Sequence, residues 1–330
     1  MLTASGSLPR YHARPMTDIQ EPAGSSLIHA RGLTKRYAGF TAVDKIAFDV
    51  APGESFGFLG PNGAGKTTTM RMIACVSPVT EGTLRVVGLD PARDGSRIRA
   101  QLGVVPQRDT LDEELTTREN LVIYGRYFGL KRAEAARRAD ELLEFAQLSE
   151  RANDQVEPLS GGMKRRLTIA RSLINEPRVL LLDEPTTGLD PQARHLVWDR
   201  LYRLKQRGVT LVLTTHYMDE AEQLCDRLVV MDKAQIVAEG SPRDLITRYA
   251  TREVTELRFP AGVQETLDGQ LDGIGERIER LPDRVLVYSE DGDAAVAAVH
   301  ARGLEPETVL VRRSSLEDVF LRLTGRSLIE

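Results

Sequence analysis

The chain has 330 residues, of which 44 are Lys or Arg and 48 are Asp or Glu, giving a formal net charge of −4. At about 150 residues per domain, this length predicts one large or two modest domains. The near-neutral charge gives no electrostatic basis for general nucleic-acid binding, so no nucleic-acid partner is expected. No apolar run approaches the ~18 residues needed to cross a bilayer, so any membrane role must act through a partner. The only two cysteines, Cys75 and Cys225, exclude a disulfide scaffold and a cysteine-rich zinc site.

Residues 1–26 are rich in Ser, Pro and Gly and have no apolar periodicity. A secretory signal needs an apolar core of about 7–15 residues, which this segment lacks. We therefore expect residues 1–26 to form a disordered N-terminal tail.

From Leu27 onward, short apolar runs alternate with helical stretches as far as about Tyr249. Continuous apolar runs such as Val179–Asp183 and Thr210–Thr215 predict strands buried on both faces, as in a parallel sheet with helices on each side. A helix is predicted from about Pro191, with proline near its first position, to just before Gly208. The predicted fold class is α/β.

The C-terminal segment has a different composition. Residues 251–330 contain ten Arg, no Lys and sixteen Asp or Glu, a net charge of −6. Strands at Val254–Phe259, Val285–Tyr288 and Thr308–Val311, with helices and a further strand between them, give the order β-α-β-β-α-β, followed by a last helix. This order predicts a small α+β, ferredoxin-like module. We assign residues 244–330 to this accessory domain, whose role as a regulator, a dimer contact or a stabilising cap the sequence leaves open.

A glycine-rich loop lies between a predicted strand, Ser55–Leu59, and a predicted helix, Thr68–Ala74. It fits the pattern G-x-x-x-x-G-K-[ST] at every fixed position, and strand–loop–helix is the context that this pattern requires. Its glycines let backbone N–H groups converge on phosphate oxygens, and the helix N-terminus adds positive partial charge. By itself the loop predicts a bound nucleoside triphosphate, with Lys66 at the β- and γ-phosphates and Thr67 as a ligand of Mg²⁺. The predicted nucleotide contacts are Gly60, Pro61, Asn62, Gly63, Ala64, Gly65, Lys66, Thr67 and Thr68.

The apolar strand Val179–Asp183 ends in two carboxylates, Asp183 and Glu184. Alternation along a strand predicts that these side chains lie on opposite sides of its end. One carboxylate can then hold Mg²⁺ while the other faces an attacking water. Carboxylates at the end of a strand are often merely exposed to solvent. The phosphate loop elsewhere in the chain is the reason to favour a catalytic role here.

The segment Leu159–Met163, with the sequence LSGGM, precedes a predicted amphipathic helix. Ser160 is suited to cap that helix. Two further glycines, Gly161 and Gly162, exceed what a cap needs, because glycine costs about 1 kcal/mol per helical position. The segment therefore predicts a second anion site at a helix N-terminus. The basic residues that follow are predicted to form a solvated face: Lys164, Arg165 and Arg166.

These motifs follow one another in a specific order. After the phosphate loop come Gln107 behind a strand, Leu159–Gly162, Val179–Asp183 with Glu184, Gly188–Asp190, and His216 behind another strand. This order resembles the ATP-binding subunits of ABC transporters, and the resemblance covers about residues 27–243. It implies a P-loop NTPase domain with a RecA-like core and a helical subdomain, and it implies ATP and Mg²⁺ as cofactors.

The resemblance also implies roles for single residues. Tyr37 is similar to the aromatic residue that stacks on adenine, and a core tyrosine beside a strand is the less favoured alternative. Gln107 is similar to the residue that senses Mg²⁺ and the membrane partner. The residues expected to contact Mg²⁺ are Thr67, Gln107 and Asp183. Glu184 is similar to the residue that polarises the attacking water, and His216 to the one that contacts the γ-phosphate.

In the family that the chain resembles, the signature segment contacts ATP bound to the other subunit. Because the chain has one copy of each motif, we expect a homodimer on ATP binding. The residues expected to act across that dimer are Ser160, Gly161, Gly162 and Asp190.

Further stretches resemble the drug- and oligosaccharide-exporter branch of the family, including Ser160–Asn175, Thr214–Asp226 and Ser315–Arg326. Within this branch the chain is most similar to NodI-type subunits. The resemblance implies ATP-driven export of lipo-chitin-oligosaccharide nodulation factors with two copies of a NodJ-type permease, at the cytoplasmic face of the inner membrane. A multidrug or antibiotic exporter remains the alternative, an importer fits the ATPase motifs alone, and a soluble ABC ATPase is less favoured.

Overall fold

The computed structural model describes residues 26–260, 267 and 269–325. The chain divides into two compact units, Met1–Ile236 and Val237–Glu330. Apart from Ser26, the tail predicted at residues 1–26 lies outside the described residues.

The first unit alternates strands and helices along the chain. Its elements are β1 (Ile28–Tyr37), β2 (Phe40–Val50), β3 (Ser55–Leu59), α1 (Lys66–Ile73), β4 (Glu81–Val86), α2 (Pro91–Arg99), β5 (Leu102–Val105), α3 (Thr117–Tyr127), α4 (Arg132–Ala146), a 3₁₀ turn (Ser149–Arg151), α5 (Gly161–Ser172), β6 (Val179–Asp183), α6 (Pro191–Gln206), β7 (Thr210–Thr215), α7 (Met218–Leu224) and β8 (Arg227–Asp232). The next strand, β9 (Gln235–Gly240), contains the division between the units.

A six-stranded sheet with the order β5-β6-β7-β3-β8-β9 carries the site. The pairs β5–β6, β6–β7, β7–β3 and β3–β8 are parallel. Every residue of β3 and β7 is buried, which is why these strands are continuously apolar or small rather than alternating. The prediction of a parallel sheet buried on both faces is confirmed, and loops at the carboxyl ends of β3, β6 and β7 meet at one edge.

A separate antiparallel sheet, with the order β2-β1-β4, was not anticipated from the sequence. It shares one hydrophobic core with the parallel sheet, and in that core Phe48 of β2 packs against Phe56 and Phe58 of β3. The ring centroids are 5.9 and 5.0 Å apart, respectively. The helical subdomain predicted between Gln107 and Leu159 contains α3 and α4, which contact each other and also α5.

The second unit contains α8 (Pro242–Tyr249), β10 (Glu253–Arg258), β11 (Arg277–Leu281), β12 (Arg284–Ser289), α9 (Gly292–Ala301), β13 (Thr308–Arg313) and α10 (Leu316–Thr324). Its antiparallel sheet has the order β11-β12-β10-β13, which is the strand order of a ferredoxin-like fold. The sequence predicts a helix between its first two strands; of residues 259–276 between them, the structure describes 259, 260, 267 and 269–276, and none of these is helical.

The two faces of this C-terminal sheet bury different clusters. Val285, Val287 and Leu257 pack with Val299 of α9 on one face, whereas Tyr288 and Leu286 pack with Leu321 of α10 on the other. Across the residues that the structure describes, no helix combines the length and apolarity needed to span a membrane.

Candidate active site

The glycine-rich loop connects β3 to α1 at the carboxyl edge of the parallel sheet. A side chain at Gly60 would place its Cβ 2.3 Å from the carbonyl oxygen of Met231, so the loop could not approach β8 as it does. Gly65 has φ +103°, and its Cβ would lie 2.5 Å from the carbonyl oxygen of Ala42. Two glycines of the motif are therefore required by close backbone approach and left-handed conformation.

Lys66 begins α1, and its side chain is buried. Its Nζ donates hydrogen bonds to the carbonyl oxygens of Gly60 and Pro61, at 2.6 and 3.0 Å, and lies 3.8 Å from Glu184 Oε1. Burial lowers the pKa of Lys66, and the nearby carboxylates of Glu184 and Asp183 oppose that effect. The ammonium group is held inside the loop, where phosphate oxygens would neutralise it.

Asp183 and Thr67 meet where β6 ends. Thr67 Oγ1 donates to Asp183 Oδ1 at 3.1 Å, and Thr214 Oγ1 of β7 donates to the same oxygen at 2.5 Å. A hydroxyl and a carboxylate are hard oxygen ligands, and Mg²⁺ is usually bound by one or two such groups together with substrate phosphates. The donor set of Thr67 and Asp183 therefore fits a Mg²⁺ ion.

Glu184 departs from the expected alternation. It has φ +45°, so the chain leaves the extended conformation directly after Asp183. The prediction that the two carboxylates lie on opposite sides of the strand end is wrong, because this left-handed residue turns Glu184 toward Lys66 while Asp183 contacts Thr67. The Glu184 backbone N–H donates to Thr214, and its nitrogen lies 3.1 Å from the Thr214 carbonyl oxygen and 3.0 Å from Thr214 Oγ1. An unfavourable backbone conformation of this kind persists only when its surroundings fix it.

The Glu184 carboxylate collects contacts from three other segments. Gln107 Nε2 donates to Oε2 at 3.0 Å, and Thr187 Oγ1 donates to the same atom at 3.2 Å. His216 Nδ1 lies 3.4 Å from Oε1, an ion-pair distance at which the two groups are not aligned as a hydrogen bond. His216 is the main cause that lowers the pKa of Glu184, with Lys66 and Thr187 contributing, whereas burial acts in the opposite direction. The carboxylate is therefore ionised at neutral pH and suited to accept hydrogen bonds from a water.

A cleft of about 200 Å³ opens above the glycine-rich loop. Tyr37 does not line it, whereas Phe40 and Ala42 do. Tyr37 and Phe40 are directly paired across the tight turn between β1 and β2, and their side chains are 45% and 59% exposed. Directly opposite residues lie on the same face of a strand pair, so both rings are available on one side of the turn. The other residues that line the cleft are Asn62, Gly63, Gly65, Lys66, Thr67, Thr68, Gln107 and Glu184.

The signature segment lies outside this cleft. Ser160 caps α5, accepting a hydrogen bond from the Met163 N–H at 3.3 Å, and Asp190 caps α6 in the same way through Ala193. A Cβ at Gly162 would lie 2.7 Å from the Cβ of Ala193, whereas one at Gly161 would meet only Leu189 Cδ2 at 4.0 Å. Packing within the chain thus requires a glycine at position 162. At position 161 it would accommodate a larger residue, so packing does not explain why Gly161 is a glycine.

The prediction of a solvated basic face on α5 is wrong for Arg165. Its side chain is buried, 5% exposed, and it donates hydrogen bonds to backbone carbonyl oxygens of Pro106, Asp183, Glu184 and Pro185. The Arg166 guanidinium also turns inward and bonds the carbonyl oxygen of Ala146 at 2.6 Å. Three adjacent basic residues on a helix predict an exposed face. The sequence does not show that backbone carbonyl oxygens of other segments lie close enough to accept hydrogen bonds from one of them.

The structure thus brings together Lys66, Thr67, Gln107, Asp183, Glu184 and His216 at one edge of the sheet. The sequence interpretation missed four residues that touch this group: Phe40, Arg165, Thr187 and Thr214. Of these, only Phe40 had a local signal, since it is the aromatic partner of Tyr37 across a two-residue turn.

Comparison with known proteins agrees with this geometry. The family described as "ABC transporter" matches residues 43–187, and the family "Nodulation factor export protein NodI, C-terminal domain" matches residues 264–325. The chain is 49% identical over 296 residues to the Nod factor export ATP-binding protein I of Paraburkholderia xenovorans (strain LB400), covering 89% of this chain and 95% of that protein. It is 46% identical to the protein of the same name from Ralstonia nicotianae (strain ATCC BAA-1114 / GMI1000), covering 97% and 99%.

A solved ATP-binding cassette, a dimer in a post-hydrolysis state bound to ADP and Pi, superimposes with a TM-score of 0.60 at 28% identity, covering 65% of this chain and 98% of that one. The fold and the site therefore define an ATP-hydrolysing cassette of an ABC transporter. Cassettes of this class dimerise and work with membrane permeases. The chain belongs to the family of Nod factor export ATP-binding proteins I, and it is an ABC export subunit.

Proposed function

We propose that this ATPase drives export of nodulation factors, the lipo-chitin oligosaccharides, through a NodJ-type permease present in two copies. The observation that carries the proposal is that relatives named Nod factor export ATP-binding protein I align with 89% and 97% of the chain, while residues 264–325 by themselves match the NodI C-terminal family. The subunit would then act from the cytoplasmic face of the inner membrane, bound to that permease. No residue of this chain needs to touch the cargo, because the export path lies in the permease.

A deletion strain tests this proposal. Cells that make lipo-chitin oligosaccharides but lack this gene should retain them, and the intact chain should restore their release into the medium, measured by mass spectrometry. The matched control is Glu184→Gln, which keeps the shape of the site and should not restore release. Normal release from the deletion strain, with loss of drug efflux instead, would favour a multidrug exporter.

The proposed hydrolysis mechanism assigns a task to each residue around the loop. Lys66 and the loop N–H groups neutralise charge on the β- and γ-phosphates, because phosphoryl transfer depends mainly on positioning and charge stabilisation. Glu184 accepts hydrogen bonds from the attacking water and orients it toward the γ-phosphate. His216 lies beside the Glu184 carboxylate and contacts the γ-phosphate.

Mg²⁺, when bound, would neutralise part of the negative charge that develops during phosphoryl transfer. In this proposal Thr67, Gln107 and Asp183 would hold the ion, and the hydrogen bond between Thr67 and Asp183 is consistent with a shared ligand position. Gln107 is proposed to sense the ion and the permease. Its amide hydrogen bond to Glu184 links that sensing to the residue that orients water.

The nucleobase is proposed to stack on Tyr37, with Phe40 beside it. Phe40 lines the cleft directly, and the two rings share one face of the turn. Base–aromatic stacking contributes about 1–3 kcal/mol per base.

Hydrolysis is further proposed to require two copies of the chain on ATP binding. Ser160, Gly161 and Gly162 of one copy would contact the ATP held by the other, with Asp190 joining the two sites. Two observations support this assignment: Ser160 and Gly161 are exposed, and packing within the chain does not require a glycine at position 161. ATP then acts as a bridge between the copies, and hydrolysis releases it.

The permease is proposed to dock on α3. Tyr127 is 79% exposed and Ile123 37% exposed, on a helix where Tyr124 packs against Tyr127 and Phe128 at centroid distances of 6.5 and 5.5 Å. Arg171 lies 4.8 Å from the Tyr124 ring and fixes this cluster onto α5. An exposed aromatic group on a rigid helix suits a protein partner.

A further inference from the structure

Glu220 is a buried acid to which the proposed hydrolysis mechanism gives no task. It lies in the first turn of α7, four residues after His216, and its side chain is fully buried. Thr186 Oγ1 donates a hydrogen bond to Glu220 Oε1 at 2.7 Å, and Trp198 Nε1 donates to the same oxygen at 3.2 Å. A glutamate is almost never fully buried unless it is paired, so these two donors indicate what Glu220 does in the fold.

The carboxyl group of Glu220 uses one oxygen for both contacts. The other oxygen, Oε2, has no hydrogen-bond partner among the residues that the structure describes. Burial raises the pKa of Glu220, and hydrogen bonds from Thr215, Thr186 and Trp198 oppose that effect only in part. A neutral acid leaves an oxygen unpaired at lower cost than a buried carboxylate does. Burial therefore favours a neutral Glu220, whose Oε1 serves as a shared acceptor.

The two donors belong to the segments that hold Asp190. Thr186 lies in the turn after β6, and its carbonyl oxygen accepts a hydrogen bond from the Leu189 N–H at 3.2 Å. This turn leads directly to Asp190, which caps α6. Trp198 lies about two turns further along the same helix. Glu220 therefore bonds the chain on both sides of Asp190.

A second contact joins the same two parts of the molecule. Arg194, about one turn into α6, places its guanidinium carbon 4.6 Å from the centre of the Tyr217 ring. The rings of Tyr217 and His216 are adjacent, with centroids 4.1 Å apart. A guanidinium group over an aromatic face is attracted by the ring quadrupole. The residues that follow β7 are thus attached to α6 at two points, the Tyr217 ring and the Glu220 carboxyl group.

We propose that Glu220 is a positioning residue that couples the γ-phosphate contact of His216 to the placement of Asp190. This inference rests on the proposed function of those two residues and adds the link between them. A ligand shifts a conformational equilibrium only through contacts that differ between the states, and the γ-phosphate is the contact that ADP lacks. Through Glu220, the nucleotide that His216 contacts sets where Asp190 is presented to the second copy.

Steady-state kinetics of two Glu220 variants of the full chain test the link. Methionine keeps the length of the side chain but is only a weak acceptor, so Glu220→Met should lower kcat about 3- to 30-fold while the KM for ATP changes little. Glu220→Gln keeps the oxygen that Thr186 and Trp198 bond, and it should retain the parental rate. Gln223→Met, at an exposed position of the same helix, is the matched control and should also retain it.

ATP-dependent dimerisation in the Glu184→Gln background measures the coupling directly. Adding Glu220→Met should raise the dissociation constant of the ATP-bound dimer about 3- to 30-fold, measured by analytical ultracentrifugation. His216→Ala should also raise it. The two changes together should cost no more than the larger single change, because they interrupt one link, whereas a purely structural role of Glu220 would make the losses add. A melting curve of each variant reports its folding separately.

A parental kcat in Glu220→Met, an equal loss of rate in Glu220→Gln, or additive losses in the double variant would overturn the proposal. If Glu220→Met does not fold, Thr186→Val combined with Trp198→Phe removes both donors and should reproduce the loss of kcat; a parental rate in that chain would also overturn it.

Failure of this inference is distinguishable from failure of the proposed function. The Glu184→Gln chain by itself reports whether the site hydrolyses ATP and whether ATP bridges two copies. Loss of turnover in Glu184→Gln together with a parental rate in Glu220→Met would leave the site intact and exclude only the link through Glu220.

Discussion

The guanidinium of Arg165 bonds the backbone carbonyl oxygens of both Asp183 and Glu184, at 3.1 Å each. Arg165 lies on α5, directly after the signature segment, and it also bonds Pro106, the residue before Gln107. This buried guanidinium fixes the positions of the two backbone segments relative to each other, because each lost hydrogen bond would leave a buried polar group unsatisfied. Helix α5, which Ser160 caps, is thereby tied to the backbone of Asp183 and Glu184 and to the residue before Gln107.

We expect Arg165→Gln to lower kcat for ATP about 10- to 100-fold while KM changes little, because a small displacement of Glu184 affects the reaction more than binding. Arg165→Lys should recover part of the rate, since lysine keeps the charge but lacks the planar set of donors. Steady-state kinetics and a melting curve of each variant provide the measurements. Arg166→Gln is the control, as that side chain bonds Ala146 instead. Parent-like rates in both Arg165 variants would contradict this role.

Glu184→Gln should abolish turnover and trap an ATP-loaded dimer. The amide keeps the volume of the side chain but is a poor acceptor for the proton of the attacking water, so we expect a rate loss of about 10²–10⁴. Phosphate release measures turnover, and light scattering with ATP measures the dimer. A variant that turns over at the parental rate, or stays monomeric with ATP, would exclude the proposed site.

Gly161 and Gly162 should respond differently to alanine. Gly162→Ala should lower the melting temperature, because its Cβ meets Ala193 at 2.7 Å. Gly161→Ala should fold with parental stability but dimerise poorly with ATP, because the added Cβ would crowd the nucleotide that the other copy binds. Calorimetry and nucleotide-dependent dimerisation in the Glu184→Gln background separate the two effects. Normal dimerisation of the Gly161→Ala chain would count against contact across the dimer.

Tyr37→Ala and Phe40→Ala should each raise the KM for ATP, and the ring that supplies stacking of about 1–3 kcal/mol should raise it by about 5- to 150-fold. The larger effect identifies the ring that carries the base. Phe40→Tyr, which keeps the aromatic face, serves as the control and should bind ATP as the parent does. If neither alanine variant alters KM, base stacking at this turn is wrong.

The second unit should lose stability in acid through Asp318. This carboxylate is fully buried; burial acts to raise its pKa, but Arg312, at 2.7 and 3.0 Å, and the Ser315 N–H outweigh that effect and lower it. A carboxyl group with a lowered folded pKa contributes its full stability above the unfolded value of about 3.9 and loses it as the pH falls through the folded pKa.

Asp318→Asn should therefore flatten the decline in stability of the C-terminal unit below about pH 4, since asparagine does not titrate in that range. Pulse proteolysis with pepsin in urea, between pH 2 and 5, follows that unit by the size of its fragments. At neutral pH, Arg312→Met should cost about 3–5 kcal/mol, because it leaves a buried charge without its partner. An equal pH slope in the parent and in Asp318→Asn would contradict this assignment.

The sequence by itself determined the parallel α/β core, the glycine-rich loop with Lys66 and Thr67, and the ferredoxin-like character of the C-terminal unit. These features follow from local rules: continuous apolar runs for buried strands, glycines where backbone approaches closely, and caps at helix starts. The antiparallel sheet of β1, β2 and β4 was not predicted: β1 and β2 form a hairpin across a two-residue turn, but the pairing of β1 with β4 joins segments far apart in the chain.

Only the tertiary structure decided how the two carboxylates are directed and where the basic residues of α5 lie. Glu184 turns toward Lys66 because Thr214, on a neighbouring strand, holds its backbone in a left-handed conformation. Arg165 is buried because four carbonyl oxygens from two distant segments need a donor at that point. Phe40 reaches the cleft because the β1–β2 turn lies beside the glycine-rich loop. Each outcome depends on contacts between residues remote in sequence, which patterns within a short window do not contain.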